Sequence, residues 1–177
     1  VLYFEGEASR ELRMLRGFKN RFGSTSEIGI FEMTQEGLVS AKDIASKFFD
    51  KSKSQSGSSL TVSMEGSRAI ILEVQALVSE TTFTNTKRSD TGFDTNRLTM
   101  LLALLEKKLD LPFNHYDVFI NISGGIKIKE SSADLAVIAA IISSFRDRPI
   151  SKESVFIGEV SLTGEIKDVY SIDIRLK

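Results

Sequence analysis

The densest cationic motif near the start of the chain is the pentad Lys19-Asn20-Arg21-Phe22-Gly23. Lysine and arginine side chains at the tip of a hairpin can reach a phosphate on another subunit, as an arginine finger does. In that arrangement Asn20, Phe22 and Gly23 shape the tip, since glycine permits the turn and the aromatic ring anchors it. The alternative is a solvated strand edge whose charges prevent edge-to-edge pairing, and composition alone favours this alternative.

A serine pair that precedes an apolar helix is the second feature that could do chemistry. Ser131 and Ser132 stand directly before Ala133 and Asp134. Backbone N–H groups at a helix N-terminus can stabilise an oxyanion, and Ser132 would be a nucleophile if a lysine or histidine base lay within hydrogen-bond reach. The commoner use of serine at such a position is as a helix N-cap.

Several kinds of chemistry lack the residues that they need in this sequence. The 177 residues include no cysteine, which leaves no disulfide, thiol nucleophile or cysteine-ligated zinc within the chain. The one histidine, His115, is a poor basis for a metal site or a Ser-His-Asp triad, and we interpret it as a surface residue. No GxxxxGK(S/T) motif occurs, so the chain by itself cradles no nucleotide in a P-loop.

The formal net charge of −1 indicates no polyanionic partner, so any contact with nucleic acid must come from a local basic patch. Basic residues of the second half of the chain fall at a hairpin turn, a loop, a helix start and a strand end: Arg68, Lys87, Arg88, Arg97, Lys127 and Lys129. If they line one surface, the DNA backbone is their natural partner. If each stands alone, it is a solvating charge.

The elements that must position these residues form a mixed α+β pattern. Residues 1–33 are predicted as strands, with a hairpin turn at 23–26. Helices are predicted over 41–49, over 96–109 with Asp94 as its cap, and over 132–145. Further strands are predicted over 60–64, 69–78, 116–122, 154–159 and 161–166, with a polar loop over 81–91.

The Ser-rich stretch 50–59 is the best candidate for a linker, and we place a domain boundary there. Both ends of the sequence fall within predicted elements, from which we expect a piece of a longer protein.

Eight short motifs spread over nearly the whole chain form a recognisable set. They are VLYFEGE (1–7), KNRFG (19–23), EIGIFEM (27–33), EVQALV (73–78), NRL (96–98), SGG (123–125), ADLAV (133–137) and GEVSLTGE (158–165). In these motifs the chain resembles the bacterial RadA family, also called Sms. The pentad, in this company, is highly specific to that family.

The resemblance implies a DNA repair and recombination ATPase with a zinc finger, a RecA-like motor and a Lon protease-like domain, of the ribosomal S5 domain 2-like fold. Residues 1–37 would be the last strands of the motor, 38–57 a helix and linker, and 58–177 the Lon-like domain. The full-length protein is expected to be a DNA-dependent ATPase or helicase with ATP, Mg²⁺ and zinc as cofactors. This region would supply ring assembly and DNA-backbone binding, through Arg68, Arg88, Arg97 and Lys127, and would need no cofactor of its own.

The resemblance also implies the partners and the compartment. A RadA protein acts in the cytoplasm on single-stranded or branched DNA, alongside the RecA recombinase, as a hexameric ring that drives branch migration. No membrane partner is expected, because the longest apolar run is too short to span a bilayer.

The Lon-like half raises the question of peptidase activity. Alignment with Lon on Ala133 places Ser132 at the nucleophile position, where RadA proteins usually lack serine, so this chain departs from the family pattern. Alignment on 158–164 places Asp173 where the catalytic lysine should be, with Lys167 and Lys177 off register. Aspartate cannot replace the base of a Ser-Lys dyad, because its ordinary pKa of about 4 makes it a weak proton acceptor. We therefore expect a protease fold without protease chemistry. The alternatives are an active Ser-Lys peptidase and a purely structural oligomerisation module.

Overall fold

The computed structural model describes residues 1–5, 12–22, 27–40, 54–82 and 84–177. The helix predicted over 41–49 and residues 50–53 of the predicted linker lie outside the described residues, as does Gly23 of the pentad. The last two linker residues, Ser58 and Ser59, belong to a strand instead. What is described is a mixed α+β structure, as the sequence predicts.

The first part of the chain forms an antiparallel sheet of four strands in sequence order. The strands are β1 (Leu2–Glu5), β2 (Leu12–Gly17), β3 (Ile28–Thr34) and β4 (Gly37–Ser40). The predicted hairpin is β2–β3, which pairs Arg13 with Phe31 and Arg16 with Ile28. Strand β4 was not predicted, because four residues of which three are exposed give no clear period-two pattern.

A second sheet has the order β5-β6-β8-β7. Its strands are β5 (Ser58–Glu65), β6 (Arg68–Glu80), β7 (Arg88–Thr91) and β8 (Tyr116–Ile122). The predicted hairpin β5–β6 and the predicted strand β8 are confirmed.

The loop predicted over 81–91 is wrong for its last four residues, which form β7 parallel to β8. The sequence of β7 has no apolar alternation, and its pairing depends on a contact that is remote in sequence. The Lys87 N–H donates to the Asp117 carboxylate (2.7 Å), and the Val118 N–H donates to the Lys87 carbonyl (3.0 Å).

Two long helices follow β7 and β8. Helix α1 (Thr95–Leu109) is capped as predicted, because the Asp94 carboxylate accepts from the Arg97 N–H at 2.8 Å. Helix α2 (Asp134–Phe145) begins two residues later than predicted, after a 3₁₀ turn at Ser131–Ala133. The N-cap interpretation of Ser132 is wrong, since the N-cap position is Ala133 and no side chain caps it.

The C-terminal strands are shorter than predicted. Only β9 (Glu159–Val160) and β10 (Ile166–Lys167) pair, and they are antiparallel. Upstream, Val155 forms an isolated parallel bridge with Leu60 of β5, so one-residue pairing replaces the strand predicted over 154–159. A short helix, α3 (Ile172–Arg175), ends the chain.

The core lies between helix α2 and strands β5, β6 and β8. Fully buried residues of α2, such as Val137 and Ile141, join Leu72 and Val74 of β6 in one apolar cluster. Ile28 and Ile30 of β3 belong to the same cluster, so the first sheet contributes to this core. No helix in the described part of the chain is long and apolar enough to span a membrane.

Gly92, in the turn between β7 and α1, provides a test of this packing. A Cβ at position 92 would lie 2.5 Å from the Ile126 carbonyl oxygen and 2.9 Å from the Ile122 Cβ, whereas one at Gly164 would meet nothing closer than 3.8 Å. Both glycines have positive φ, so alanine would strain the backbone at either position to a similar extent. We expect Gly92→Ala to lower the free energy of unfolding about 1–3 kcal/mol more than Gly164→Ala, measured by urea denaturation. Equal losses would show that the turn can open freely.

Candidate functional site

The basic pentad lies in the connection between β2 and β3, as predicted. The side chains of Lys19, Asn20, Arg21 and Phe22 are all exposed. The Asn20 Oδ1 accepts from the Phe22 N–H at 3.1 Å, which fixes the bend of the chain. The prediction that Phe22 anchors the tip is wrong, because this side chain is 98% exposed and packs on none of the described residues. Within the described ranges, neither Lys19 nor Arg21 has an acidic partner.

Ser132, which the sequence offers as a candidate nucleophile, lies in a buried polar cluster. Ser132 is 3% exposed, and its Oγ accepts from the Arg175 guanidinium at 3.1 Å. Arg175, whose side chain is fully buried, also forms an ion pair with Glu130 at 2.5 Å and donates to the Val62 and Tyr170 carbonyls. The guanidinium therefore holds the start of α2, the end of β5 and helix α3 together.

The structure brings Arg175, and not Asp173, to the serine. Asp173 is exposed on α3, two residues earlier in the chain. Sequence reasoning missed Arg175 because a single arginine near the end of a polar segment gives no signal of burial. A guanidinium is always protonated in proteins, so it can donate to Ser132 but cannot remove its proton.

Glu130 is the acid of this cluster. Burial alone would raise the pKa of Glu130, but the hydrogen bonds from Arg175, the Met64 N–H and Ser132, with the charge of Arg175, lower that pKa below its ordinary value. The carboxylate is thereby kept ionised against the buried guanidinium.

A second polar cluster lies at the start of β5 and the middle of β6. Lys152 donates to the Glu73 carboxylate at 2.5 Å and to the Ser58 Oγ at 2.8 Å, and Ser58 donates to the same carboxylate. Burial would raise the pKa of Glu73, but hydrogen bonds from Lys152, Ser58 and Gln75, with the charge of Lys152, lower it below its ordinary value. This arrangement is an ion pair that fixes the segment before Val155 to the sheet. It leaves Lys152 donating to an acid and a hydroxyl, which is not the role of a base.

Two of the four predicted DNA-binding residues donate within the chain. The Arg97 guanidinium forms two hydrogen bonds with the Asp134 carboxylate and one with the Val160 carbonyl (2.8 Å). The hydrogen bonds that Arg97 donates to the Asp134 carboxylate outweigh burial and raise the pKa of Arg97.

Arg88 donates to the carbonyls of Phe113 (2.6 Å), Tyr116 and Lys87. Burial lowers the pKa of its guanidinium, and Glu106 and Asp117 oppose that change. Its contacts join the edge strand β7 to the chain before β8. The other two predicted residues, Arg68 and Lys127, are exposed.

The four residues do not form one compact patch. Arg68 is the first residue of β6. Arg88 of β7 lies opposite Val118 of β8, and Val118 in turn lies opposite Val78 of β6, ten residues after Arg68. At about 3.3 Å per residue, this separates them by about 33 Å. Lys127 lies nearer to Arg97, because the next residue, Ile128, donates its N–H to the Gly92 carbonyl just before α1.

No group of three or more His, Asp or Glu side chains that could hold a metal occurs among the described residues. The sequence itself contains no cysteine and no P-loop motif.

Comparison with known proteins gives the class of protein first. No model of a known protein family matches the chain. Curated bacterial DNA repair proteins, however, match it from end to end.

These relatives are named DNA repair protein RadA. The protein from Campylobacter jejuni is 66% identical over the whole chain, that from Helicobacter pylori 62%, and that from Bacillus subtilis 48%. The RadA resemblance inferred from the sequence motifs is confirmed. The chain spans 39–40% of the length of these relatives.

The buried pair of Arg97 and Asp134 should be essential to the fold. Asp134→Asn removes the charge that neutralises Arg97 and replaces an acceptor of the Val160 N–H, so we expect a loss of about 3 kcal/mol or more in the free energy of unfolding. The exposed pair of Lys167 and Glu165 (2.6 Å) is the control, and Glu165→Gln should change little. Comparable losses in the two variants, by chemical denaturation, would contradict this role of Asp134.

Glu130 should make stability sensitive to acid. Its folded-state pKa lies below that of the unfolded chain, so its contribution is complete above the ordinary glutamate pKa of about 4.3 and is lost as pH falls through the lower folded value. The unfolding free energies of the wild type and Glu130→Gln should therefore differ at pH 7 and converge as the pH falls below about 4. The measurement is chemical denaturation of both proteins at each pH. A difference in unfolding free energy that does not change with pH would show that Glu130 has no such role.

Proposed function

We propose that this chain is the region of a RadA-type DNA repair ATPase that assembles the ring and holds the DNA backbone, without a catalytic centre of its own. The observation that carries the proposal is identity of 46–66% to proteins named DNA repair protein RadA over essentially the whole chain. The proposed partners are single-stranded or branched DNA, the RecA recombinase and other copies of the protein in a hexamer. The proposed compartment is the cytoplasm, and the proposed activity of the whole protein is ATP-driven branch migration in recombination.

In this proposal residues 1–37 belong to the end of a RecA-like motor and residues 58–177 form a Lon protease-like domain. The separation of the described structure into an antiparallel first sheet and a second, mixed sheet supports this division. ATP, Mg²⁺ and zinc would bind elsewhere in the protein. Lys19 and Arg21 are exposed and have no acidic partner in the described ranges, which supports the proposal that they contact a nucleotide phosphate on a neighbouring subunit.

The geometry at Ser132 argues against the alternative of a Ser-Lys peptidase. A nucleophile needs a base within reach and an approach for the substrate carbonyl. Ser132 is nearly inaccessible, and Arg175 donates to its Oγ. A serine-reactive covalent probe should therefore leave Ser132 unlabelled.

The DNA contact is proposed for cations that the fold leaves free. Ile126 and Ile128 are buried, whereas Lys127 and Lys129 alternate with them and are exposed, so the two lysines project from one face of an extended segment. Arg88 and Arg97 support the neighbouring structure through their backbone and carboxylate contacts. Lysine contacts to phosphate carry no sequence information, which suits a protein that must act on any sequence.

The experiment is fluorescence anisotropy with a labelled single-stranded oligonucleotide over a series of salt concentrations, using the intact protein. Replacement of both Lys127 and Lys129 by alanine should weaken binding and reduce the salt slope by about two units, one for each phosphate contact. The matched control replaces Lys107 and Lys108, an exposed pair at the end of α1, by alanine and should leave the slope unchanged.

Unchanged affinity and slope in the Lys127 and Lys129 variant would exclude this face from the DNA contact. If the wild type also fails to bind DNA but has the mass of a hexamer in solution, the purely structural oligomerisation module is the better account.

A further inference from the structure

A cavity of about 630 Å³ lies between the first sheet and the turn that joins β5 to β6. Its walls come from Leu15 and Gly17 of β2, from Lys19 and Asn20 of the pentad, from Glu27 before β3, and from Arg68 at the start of β6. This volume is within the range of about 300–1,000 Å³ that is common for small-ligand sites. The cavity therefore joins the pentad to a residue more than forty positions away in sequence.

The charged side chains around this cavity favour an anion. Two are cations, Lys19 and Arg68, and one is a carboxylate, Glu27, which gives a net charge of +1. All three are exposed, and no described acid forms an ion pair with either cation. Two unpaired cations that face one space repel each other in the absence of a shared counter-ion, and an anion between them removes that repulsion.

The acid nearest to Arg68 is already paired with another arginine. The partner of Arg68 across the β5–β6 hairpin is Glu65, the nearest acid in the ladder. The Glu65 carboxylate, which is almost buried, forms an ion pair with Arg16 of β2 at 2.9 Å. That pair fastens the hairpin to the first sheet and occupies the acid that could otherwise neutralise Arg68.

We infer that Lys19 and Arg68 together bind one phosphate group in this cavity. An arginine fork provides paired donors, and a lysine ammonium provides a point charge, the combination that phosphate oxygens accept well. The amide of Asn20 adds a neutral polar side chain to the wall of the cavity. The phosphate belongs to the DNA backbone or to a nucleotide of a neighbouring subunit, and this choice of sources rests on the proposed function.

This pairing goes beyond the proposed function because it makes one site from two separate parts of the chain. Occupation of the cavity would hold the β2–β3 connection and the β5–β6 turn against a common ligand. A phosphate bound there would therefore couple the motor-derived sheet to the second sheet. The remaining predicted cations, Arg88, Arg97 and Lys127, do not line this cavity.

The test compares Lys19→Gln, Arg68→Gln, the double variant and Glu27→Gln in the intact protein. Three probes are titrated separately: a fluorescein-labelled single-stranded oligonucleotide, a fluorescent ATP analogue with Mg²⁺, and inorganic phosphate. Lys107→Gln is the control, an exposed cation of α1 outside the cavity. Circular dichroism checks that each variant is folded.

Each single cation variant should weaken binding of at least one phosphate-bearing probe by about tenfold or more, since each loses a charged hydrogen bond. The fold-loss in affinity of the double variant should be smaller than the product of the two single fold-losses by at least about twofold, because both side chains share one ligand. Glu27→Gln should strengthen binding of the same probe, an effect that misfolding cannot produce. Loss with the oligonucleotide alone assigns the site to DNA, and loss with the ATP analogue alone assigns it to a nucleotide.

Strictly multiplicative single effects, or no effect on any of the three probes, would overturn the shared site. These failures are distinct from failure of the proposed function. If the wild type binds DNA and the cavity variants change nothing, the function stands and the site is lost. If the wild type binds no DNA, the proposed function fails, and the ATP analogue and inorganic phosphate still decide the site.

Discussion

A fully buried carboxylate, that of Asp134, joins the parts of the second sheet's domain to each other. It accepts two hydrogen bonds from Arg97 at the start of α1 and one from the Val160 N–H of β9. An ionised group inside a protein is tolerated only when it is paired and hydrogen-bonded, so these partners are obligatory. These hydrogen bonds fix the positions of α1, α2 and β9 relative to one another.

The same constraint determines what the start of α2 can do. Ser132 lies two residues before Asp134, in the 3₁₀ turn, and the packing that buries Asp134 also buries this serine. Arg175 then occupies the position next to its hydroxyl and is neutralised by Glu130. The hydroxyl of Ser132 is thus occupied by a structural ion pair. The polar atoms are satisfied by each other, and a substrate carbonyl has no access to the serine.

Cations that take no part in these internal pairs are left at the surface. Arginines that the fold requires, Arg97 and Arg175, are committed to the carboxylates of Asp134 and Glu130, and Arg88 to backbone carbonyls. Three of the cations left at the surface, Lys19, Arg68 and Lys127, lie at the β2–β3 connection, the β5–β6 turn and the segment after β8. A net charge near zero is therefore compatible with local positive surfaces, because the carboxylates are used to pair internal cations.

The sequence by itself determined the resemblance to RadA, the α+β class, the hairpins β2–β3 and β5–β6, strand β8, and the Asp94-capped helix α1. These features depend on short-range patterns: period-two and 3.6-residue spacing, turn residues and a cap three residues from its donor. Only the tertiary structure decided that 88–91 pair as a strand, that Arg175 and not Asp173 meets Ser132, and that Lys19 and Arg68 face one cavity. In each of these cases the contact joins residues that are far apart in sequence, so no local pattern encodes it. Whether a cation is buried against a carboxylate or left free for a ligand is set by packing alone.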